Sequence, residues 1–324
     1  MRRTALVAYH GRCFDGMCSA VAASRLLDAV HGPGLQFEYR GLDHQPGGSF
    51  VPPEVLTGDL NAVVDFRYTT SPKLDWWFDH HGTGIVGSEE RAHFDSEHAR
   101  GANKFFEPEY GSCCKLIADI ASQRLGLDFS PLDEMVRWAD IIDTARFADA
   151  RTAVELREPA LQLMTVIEAH GNDGFLAPRI VELREGASLN DVATSREVSQ
   201  LFAPLFAQHQ QTIAVIEQRA RCVDGVVEFD LIGSGDDRYN KFIPYFLHPE
   251  ARYCVALTAG PKRTKVSVGS NPWSTVPRTH DISELCARYG GGGHPVVGAV
   301  SLPSDAADKA RSIGAEIAAA LRVG

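Results

Sequence analysis

No stretch of this 324-residue chain approaches the run of about eighteen apolar residues that a membrane-spanning helix needs. The start, Met1-Arg2-Arg3-Thr4, is basic, but the apolar run behind it stops at Tyr9-His10. That is too short for a signal peptide, and Leu6-Val7-Ala8 reads as a first strand. The seven cysteines show no repeated spacing, and Cys113 and Cys114 are adjacent. With neither a disulfide framework nor an export signal written here, the expected setting is reduced and cytoplasmic. Positive charge is scarce: 32 Lys and Arg against 42 Asp and Glu leave a net charge of −10. That balance excludes a protein that holds long duplex nucleic acid through nonspecific phosphate contacts. A small phosphate ester stays within reach, because metal ions and a few local cations can hold one.

What is there is a globular composition, 44% hydrophobic and 23% charged, on a chain long enough for two domains. The first half alternates strand and helix signals. Ala5–Tyr9, Phe37–Arg40, Asn61–Phe66 and Trp76–Asp79 read as strands; Gly16–Leu27, Cys113–Leu125 and Pro131–Ile142 read as helices. Alternation of this kind predicts an α/β domain with a parallel sheet, whose ligands bind beyond the carboxyl ends of the strands. Segment 82–111, polar and rich in Gly, Glu, Arg and His, reads as a surface loop. Segment 150–220 is helical in pattern. From Cys222 strand signals return at 226–232, 253–259 and 265–269, with helices at 243–247 and 282–288. The expected plan is a first domain over 1–190, a linker helix over 191–220 and a smaller α+β domain over 221–324.

Four clusters of acids and histidines follow short apolar runs or a helix: His10-Gly11-Arg12-Cys13-Phe14-Asp15-Gly16, then Asp65, then Asp79-His80-His81, then Asp143-Thr144. One such event is ordinary; four form an architectural pattern. Carboxylate oxygens suit hard divalent cations, and imidazole shifts the preference toward Mn²⁺. Two ions about 3.5–4 Å apart can clamp a phosphoryl group and supply its nucleophile. The candidate ligands are His10, Asp15, Asp65, His80 and Asp143. A second signal is Tyr289-Gly290-Gly291-Gly292-Gly293-His294. Four glycines without Cβ atoms allow backbone N–H groups to converge on an anion, with His294 as a further donor. Other residues read as structural. Ser112 is a helix N-cap. Cys13, Cys18, Cys113 and Cys114 are small packing residues, and Trp76, Trp77, Trp138 and Trp273 are core or interface residues.

Together these motifs resemble the DHH phosphoesterase family, over nearly the whole chain. His10 through Ala20 is similar to the family's first motif, Asp65 to its second, Asp79-His80-His81 to its third, and Asp143-Thr144-Ala145-Arg146-Phe147 to its fourth. Val266–Ser270 with Gly290–Ala299 resembles the DHH-associated C-terminal domain. The resemblance implies a DHH metal-binding domain joined by a helical linker to a smaller substrate-binding domain, with the active site in the cleft between them. It implies that Asp65 bridges two Mn²⁺ ions, with Mg²⁺ as an alternative, that Asp79 orients His80 and that His81 leans toward the substrate. Ser270, Gly291, Gly292, Gly293 and His294 would bind the substrate. Two positions depart from the family pattern: Cys13 stands where a carboxylate is usual, and Gly269 where an arginine is usual. The implied activity is hydrolysis of short oligonucleotides or small nucleotide phosphoesters, of the pApA or pAp type. No membrane partner is expected, and a homodimer is compatible with this reading. Two other readings compete: a pyrophosphatase-like hydrolase, and a nucleotide-binding protein with a degraded metal site.

Overall fold

The computed structural model describes residues 3–44, 50–234 and 238–323. It divides into two compact units, Met1–Phe147 with Arg157–Phe202, and Ala148–Leu156 with Ala203–Gly324. Among the described residues no helix is long and apolar enough to cross a membrane.

The first unit is built on five parallel strands: β1 Thr4–His10, β2 Gln36–Leu42, β3 Leu60–Val64, β4 Trp76–Asp79 and β5 Lys104–Phe106. Their order is β2-β1-β3-β4-β5, so the chain reverses direction across the sheet between β1 and β3. Parallel strands covered on both faces are apolar throughout, and β3 and β4 are buried at every residue. Successive side chains of β1 point to opposite faces. Leu6 and Ala8 join Val63, Trp77 and Phe94 in one core cluster. On the sheet also packs α1, Phe14–His31, whose buried stripe of Ala20, Ala22 and Ala23 permits a close approach. The first unit also holds α2 Gly87–Ala99, α3 Cys113–Asp119, α4 Asp133–Asp143, α6 Pro159–His170, α7 Asp173–Arg184 and α8 Leu189–Ala193, while α5 Ala150–Glu155 belongs to the second unit.

Segment 82–111 is not the loop its polarity suggested. It holds α2 and β5. The sequence hides the helix because Phe94 is its one buried residue, so it shows almost no apolar periodicity. The 113–125 helix is α-helical only to Asp119 and continues as a π turn over Ile120–Arg124.

The domain limits also differ from expectation. The division falls at Phe202, inside α9 Arg196–Arg219, not at 190 and 221. No break in the sequence marks it, because the helix runs through it. Residues 148–156 join the second unit. There the Ala153 carbonyl accepts a hydrogen bond from Asn240 at 2.8 Å, and the Val154 carbonyl lies 2.7 Å from His209 Nε2.

The second unit carries β6 Arg221–Val223, β7 Val226–Asp230, β8 Tyr253–Ala259, β9 Thr264–Ser270, β10 Gly292–His294 and β11 Val297–Leu302. The sheet order is β10-β11-β9-β8-β7-β6, antiparallel except between β7 and β8. Helix α10 is Ile243–Leu247. Helices α11 Ile282–Ala287 and α12 Ala307–Arg322 contribute Ile282, Leu285, Ile313 and Ile317 to a core with Val255, Val266 and Val300.

Candidate metal centre

The carboxyl ends of β1, β3 and β4 lie side by side in the sheet, and the sequence clusters sit on them. His10 ends β1, Asp65 follows β3, and Asp79 ends β4 with His80 and His81 behind it. Asp15 arrives from the first turn of α1 and Asp143 from the last residue of α4. This is the crevice of an open α/β sheet at its point of reversal, where ligands are expected.

Asp65 is the centre of the arrangement. Its φ is +54°, a left-handed conformation that costs a non-glycine residue about 1–2 kcal/mol. Hydrogen bonds hold it there. The Asp65 N–H donates to the Phe78 carbonyl at 3.0 Å, and Trp77 Nε1 donates to the next carbonyl, that of Phe66, at 2.8 Å. Strain that persists under such restraint aims a side chain. Asp65 Oδ2 lies 3.4 Å from His10 Nδ1, and Oδ1 lies 3.5 Å from His80 Nε2. His80 Nε2 also faces Asp143 at 3.4 Å and Asp15 at 3.8 Å. Both Asp65 oxygens, His10 Nδ1 and His80 Nε2 are buried without a hydrogen-bond partner. Buried polar atoms are nearly always satisfied, so four converging orphans call for a ligand.

Three groups of donor atoms each fall within 4.8 Å: His10, Cys13 and Asp65; Asp65, His80 and His81; Asp15, His80 and Asp143. Asp65 and His80 are shared between groups, so the residues fit two neighbouring divalent cations. Asp15 is set by the start of α3. Its carboxylate accepts the N–H groups of Cys113 and Cys114 at 2.7 and 3.1 Å. Burial, then the charges of Asp65 and Asp143, still push its carboxyl up. Burial and the Asp65 charge do the same to Asp143. For Asp65 burial works upward, but His10 and His80 outweigh it and bring it to about 2.

The DHH triplet divides its roles differently from the sequence expectation. Asp79 Oδ1 accepts the backbone N–H of His80 at 2.9 Å, but its ring partner is His81, whose Nδ1 lies 2.8 Å away. The His80 ring is oriented by the Tyr110 carbonyl, 3.0 Å from Nδ1. Backbone geometry explains the exchange: successive residues beyond β4 point apart, and only His81 turns back over Asp79. Its side chain is 38% exposed, against 9% for His80, so it can also meet a substrate.

Cys13, read both as a packing residue and as the stand-in for a usual carboxylate, shares a cluster with His10 and Asp65. One residue joins the site that the sequence reading does not place there. His44 lies two residues beyond β2, with its ring 4.7 Å from that of His10 and 5.2 Å from that of Phe66. Ser112 caps α3 as expected, accepting from the Lys115 N–H at 3.2 Å. The glycine segment differs from an anion nest. The N–H groups of Gly290 and Gly291 go to the carbonyls of Ala287 and Cys286, closing α11, and Gly292–His294 form an exposed edge strand. Ser270 donates its hydroxyl to the Val296 carbonyl at 3.0 Å.

The charge on His80 has a measurable consequence. Burial would lower its pKa, but Asp65, Asp15 and the Tyr110 carbonyl outweigh burial and raise it to about 9. The metal-free protein therefore keeps a proton there at neutral pH, and an incoming cation must displace it. A raised folded pKa gives stability that is complete below the unfolded value, 6.5, and is lost as pH climbs to about 9. Across that window the metal-free melting temperature is expected to fall and the apparent Mn²⁺ affinity to rise. Thermal melts and calorimetric titrations over a pH series check both. An affinity that stays flat would remove His80 from the ligand set.

No family model matches the chain, and no curated protein matches it. Solved structures do. The pGpG-specific phosphodiesterase PggH of Vibrio cholerae is similar over 98% of this chain and 99% of its own, with a TM-score of 0.67 at 19% identity. The DHH domain of a member of the s1p family of ribosomal proteins matches over 97% of this chain and 86% of its own, with a TM-score of 0.58 at 12% identity. RecJ of Thermus thermophilus in complex with Mn²⁺ matches over 98% of this chain and 52% of its own, with a TM-score of 0.50 at 12% identity. The order of strands, the site at their carboxyl ends and these likenesses agree: the chain has the fold of the DHH-domain phosphoesterases.

Proposed function

We propose that the protein is a divalent-metal-dependent phosphoesterase that hydrolyses short oligonucleotides or small nucleotide phosphoesters. The observation that carries this reading is the ring of four buried, unpartnered polar atoms on His10, Asp65 and His80. Carboxylates and imidazoles at this density are the donor set of a two-ion phosphoryl-transfer centre. Divalent ions, when bound, supply Lewis acidity toward phosphoryl oxygens and toward water. The rest is done by the chain. Asp65 presents one oxygen to each side of the centre. The N–H groups of Cys113 and Cys114 hold the Asp15 carboxylate in place. The hydrogen bond that His81 Nδ1 donates to Asp79 fixes the His81 ring and favours its protonated form. His81 thereby suits the tasks of binding a phosphate oxygen and donating a proton to the leaving oxygen. We assign substrate recognition to Ser270, Gly291, Gly292, Gly293 and His294; the exposure of His294 and of the edge strand that carries it supports this.

The likeness to PggH makes linear dinucleotides the first substrates to try. The test is hydrolysis by metal-stripped protein, reloaded with Mn²⁺ or Mg²⁺, of pGpG, pApA, pAp, bis-p-nitrophenyl phosphate and pyrophosphate. Linear dinucleotides are expected to be cleaved fastest. His294→Ala is expected to raise KM for them and to leave the generic diester unaffected. Turnover of pyrophosphate alone, or of nothing, would defeat the reading.

A further inference from the structure

Cys13 occupies the N-cap position of α1, where its sulfur faces the Gly16 N–H. It is partly exposed, and its sulfur lies within 4.8 Å of donor atoms on both His10 and Asp65. Those two residues approach each other at 3.4 Å, through the unpartnered Nδ1 and Oδ2. Two ligands about 2.0–2.1 Å from a tetrahedral ion stand about 3.3 Å apart. The spacing already present is therefore that of two ligands on one small cation. The third donor is a thiol, which magnesium and manganese bind poorly and zinc binds well. The neighbouring group, Asp15, His80 and Asp143, contains no sulfur. The two sides of the centre thus differ in chemical softness, with Asp65 between them.

We propose that His10, Cys13 and Asp65 form a half-site for a borderline-soft divalent ion of the Zn²⁺ class, bound through the Cys13 sulfur. Beside it, Asp15, Asp65, His80 and Asp143 form an oxygen-rich half-site for Mn²⁺ or Mg²⁺. The inference rests on the metal-centre reading above and adds that the centre takes two unlike ions. On binding, the S–H bond breaks, its proton leaves to solvent, and the sulfur keeps the electron pair that it gives to the metal.

Cobalt(II) is the probe, because a sulfur ligand gives it a near-ultraviolet charge-transfer band that oxygen and nitrogen ligands do not. The titration uses metal-stripped full-length protein carrying Cys222→Ser, since Cys222, His248 and Glu250 form another thiol-bearing group within 4.8 Å. The band is expected to saturate at one ion per chain and to vanish in Cys13→Ser. Cys13→Asp is expected to move the zinc-to-manganese preference toward manganese on the order of tenfold, the scale of a perturbed ligand shell. Should the Cys13 variants fail to fold, alkylation mapping of the parent decides: one equivalent of Zn²⁺ protects Cys13 and Mn²⁺ does not. Cobalt binding without the band, or equal protection by both ions, overturns the mixed-metal proposal and leaves the metal centre standing. Absence of any binding of Co²⁺, Zn²⁺ or Mn²⁺ would bring down the metal centre itself.

Discussion

Asp65→Asn is expected to lower Mn²⁺-supported phosphodiester hydrolysis by on the order of a thousandfold, while the protein stays folded. The size follows from position: Asp65 alone faces His10 on one side and His80 on the other. Removing one group that stabilises charge in a transition state costs about 10²–10³ in rate, and here one substitution weakens both halves. Asparagine is the right replacement because the residue sits at φ +54°, which Asn tolerates better than most side chains. Alanine would confound lost chemistry with backbone strain. The metal-free Asn variant is expected to melt somewhat below the parent at neutral pH while staying folded, because it loses the carboxylate that His10 and His80 hold ionised, against a partial offset from weaker repulsion of Asp15 and Asp143. The rise in melting temperature that Mn²⁺ gives the parent should be lost. Near-parental turnover in a variant that no longer responds to Mn²⁺ would place the chemistry elsewhere.

Gly16→Ala is expected to be strongly destabilising for a change of a single methyl group. A Cβ there would stand 2.1 Å from the His10 carbonyl oxygen and 3.0 Å from its carbon. The obstacle is backbone at the end of a central strand, so the start of α1 would have to move. Overpacking of this kind costs about 3 kcal/mol, a loss of several degrees in melting temperature for a unit of this size. The same movement would displace His10 and Asp15 together, so metal affinity should fall alongside stability. Gly292→Ala is the matched control, since its Cβ would meet nothing within 4 Å. If both variants melt alike, α1 does not begin as close to β1 as described.

The centre was legible in the sequence because short parallel strands advertise themselves as apolar runs and ligands stand just past them. Asp65 and His80 were found by that rule. The same rule reaches His44, two residues past β2, and β2 pairs with β1 so that Leu42 lies beside His10. The sequence does not mark it, because β2 is half exposed and its end carries no apolar run. The partner of the Asp79 carboxylate was illegible for another reason: which of two adjacent histidines turns back depends on backbone direction after the strand. Helix α2 was hidden by its own charge. The Gly290–Gly293 run showed that the chain needs no Cβ there, and Gly291 and Gly293 would each place one within 2.3 Å of a carbonyl oxygen. It could not show that the need is for helix closure and strand pairing. The division of the chain at Phe202 leaves no mark in composition at all.

That division bears on how the protein is made. Synthesis is vectorial, and domains tend to fold as they leave the ribosome. Residues 148–156 emerge well before 203–324, the part of the chain they pack with. The first unit can close over residues 1–147 and 157–202, but it must do so with α5 looped out and waiting. Buried Ala153 and Val154 then stay uncovered until Asn240 and His209 have been translated. A released fragment ending at residue 202 should therefore show a protease-sensitive excursion at 148–156 inside an otherwise resistant body. The full chain should not show it.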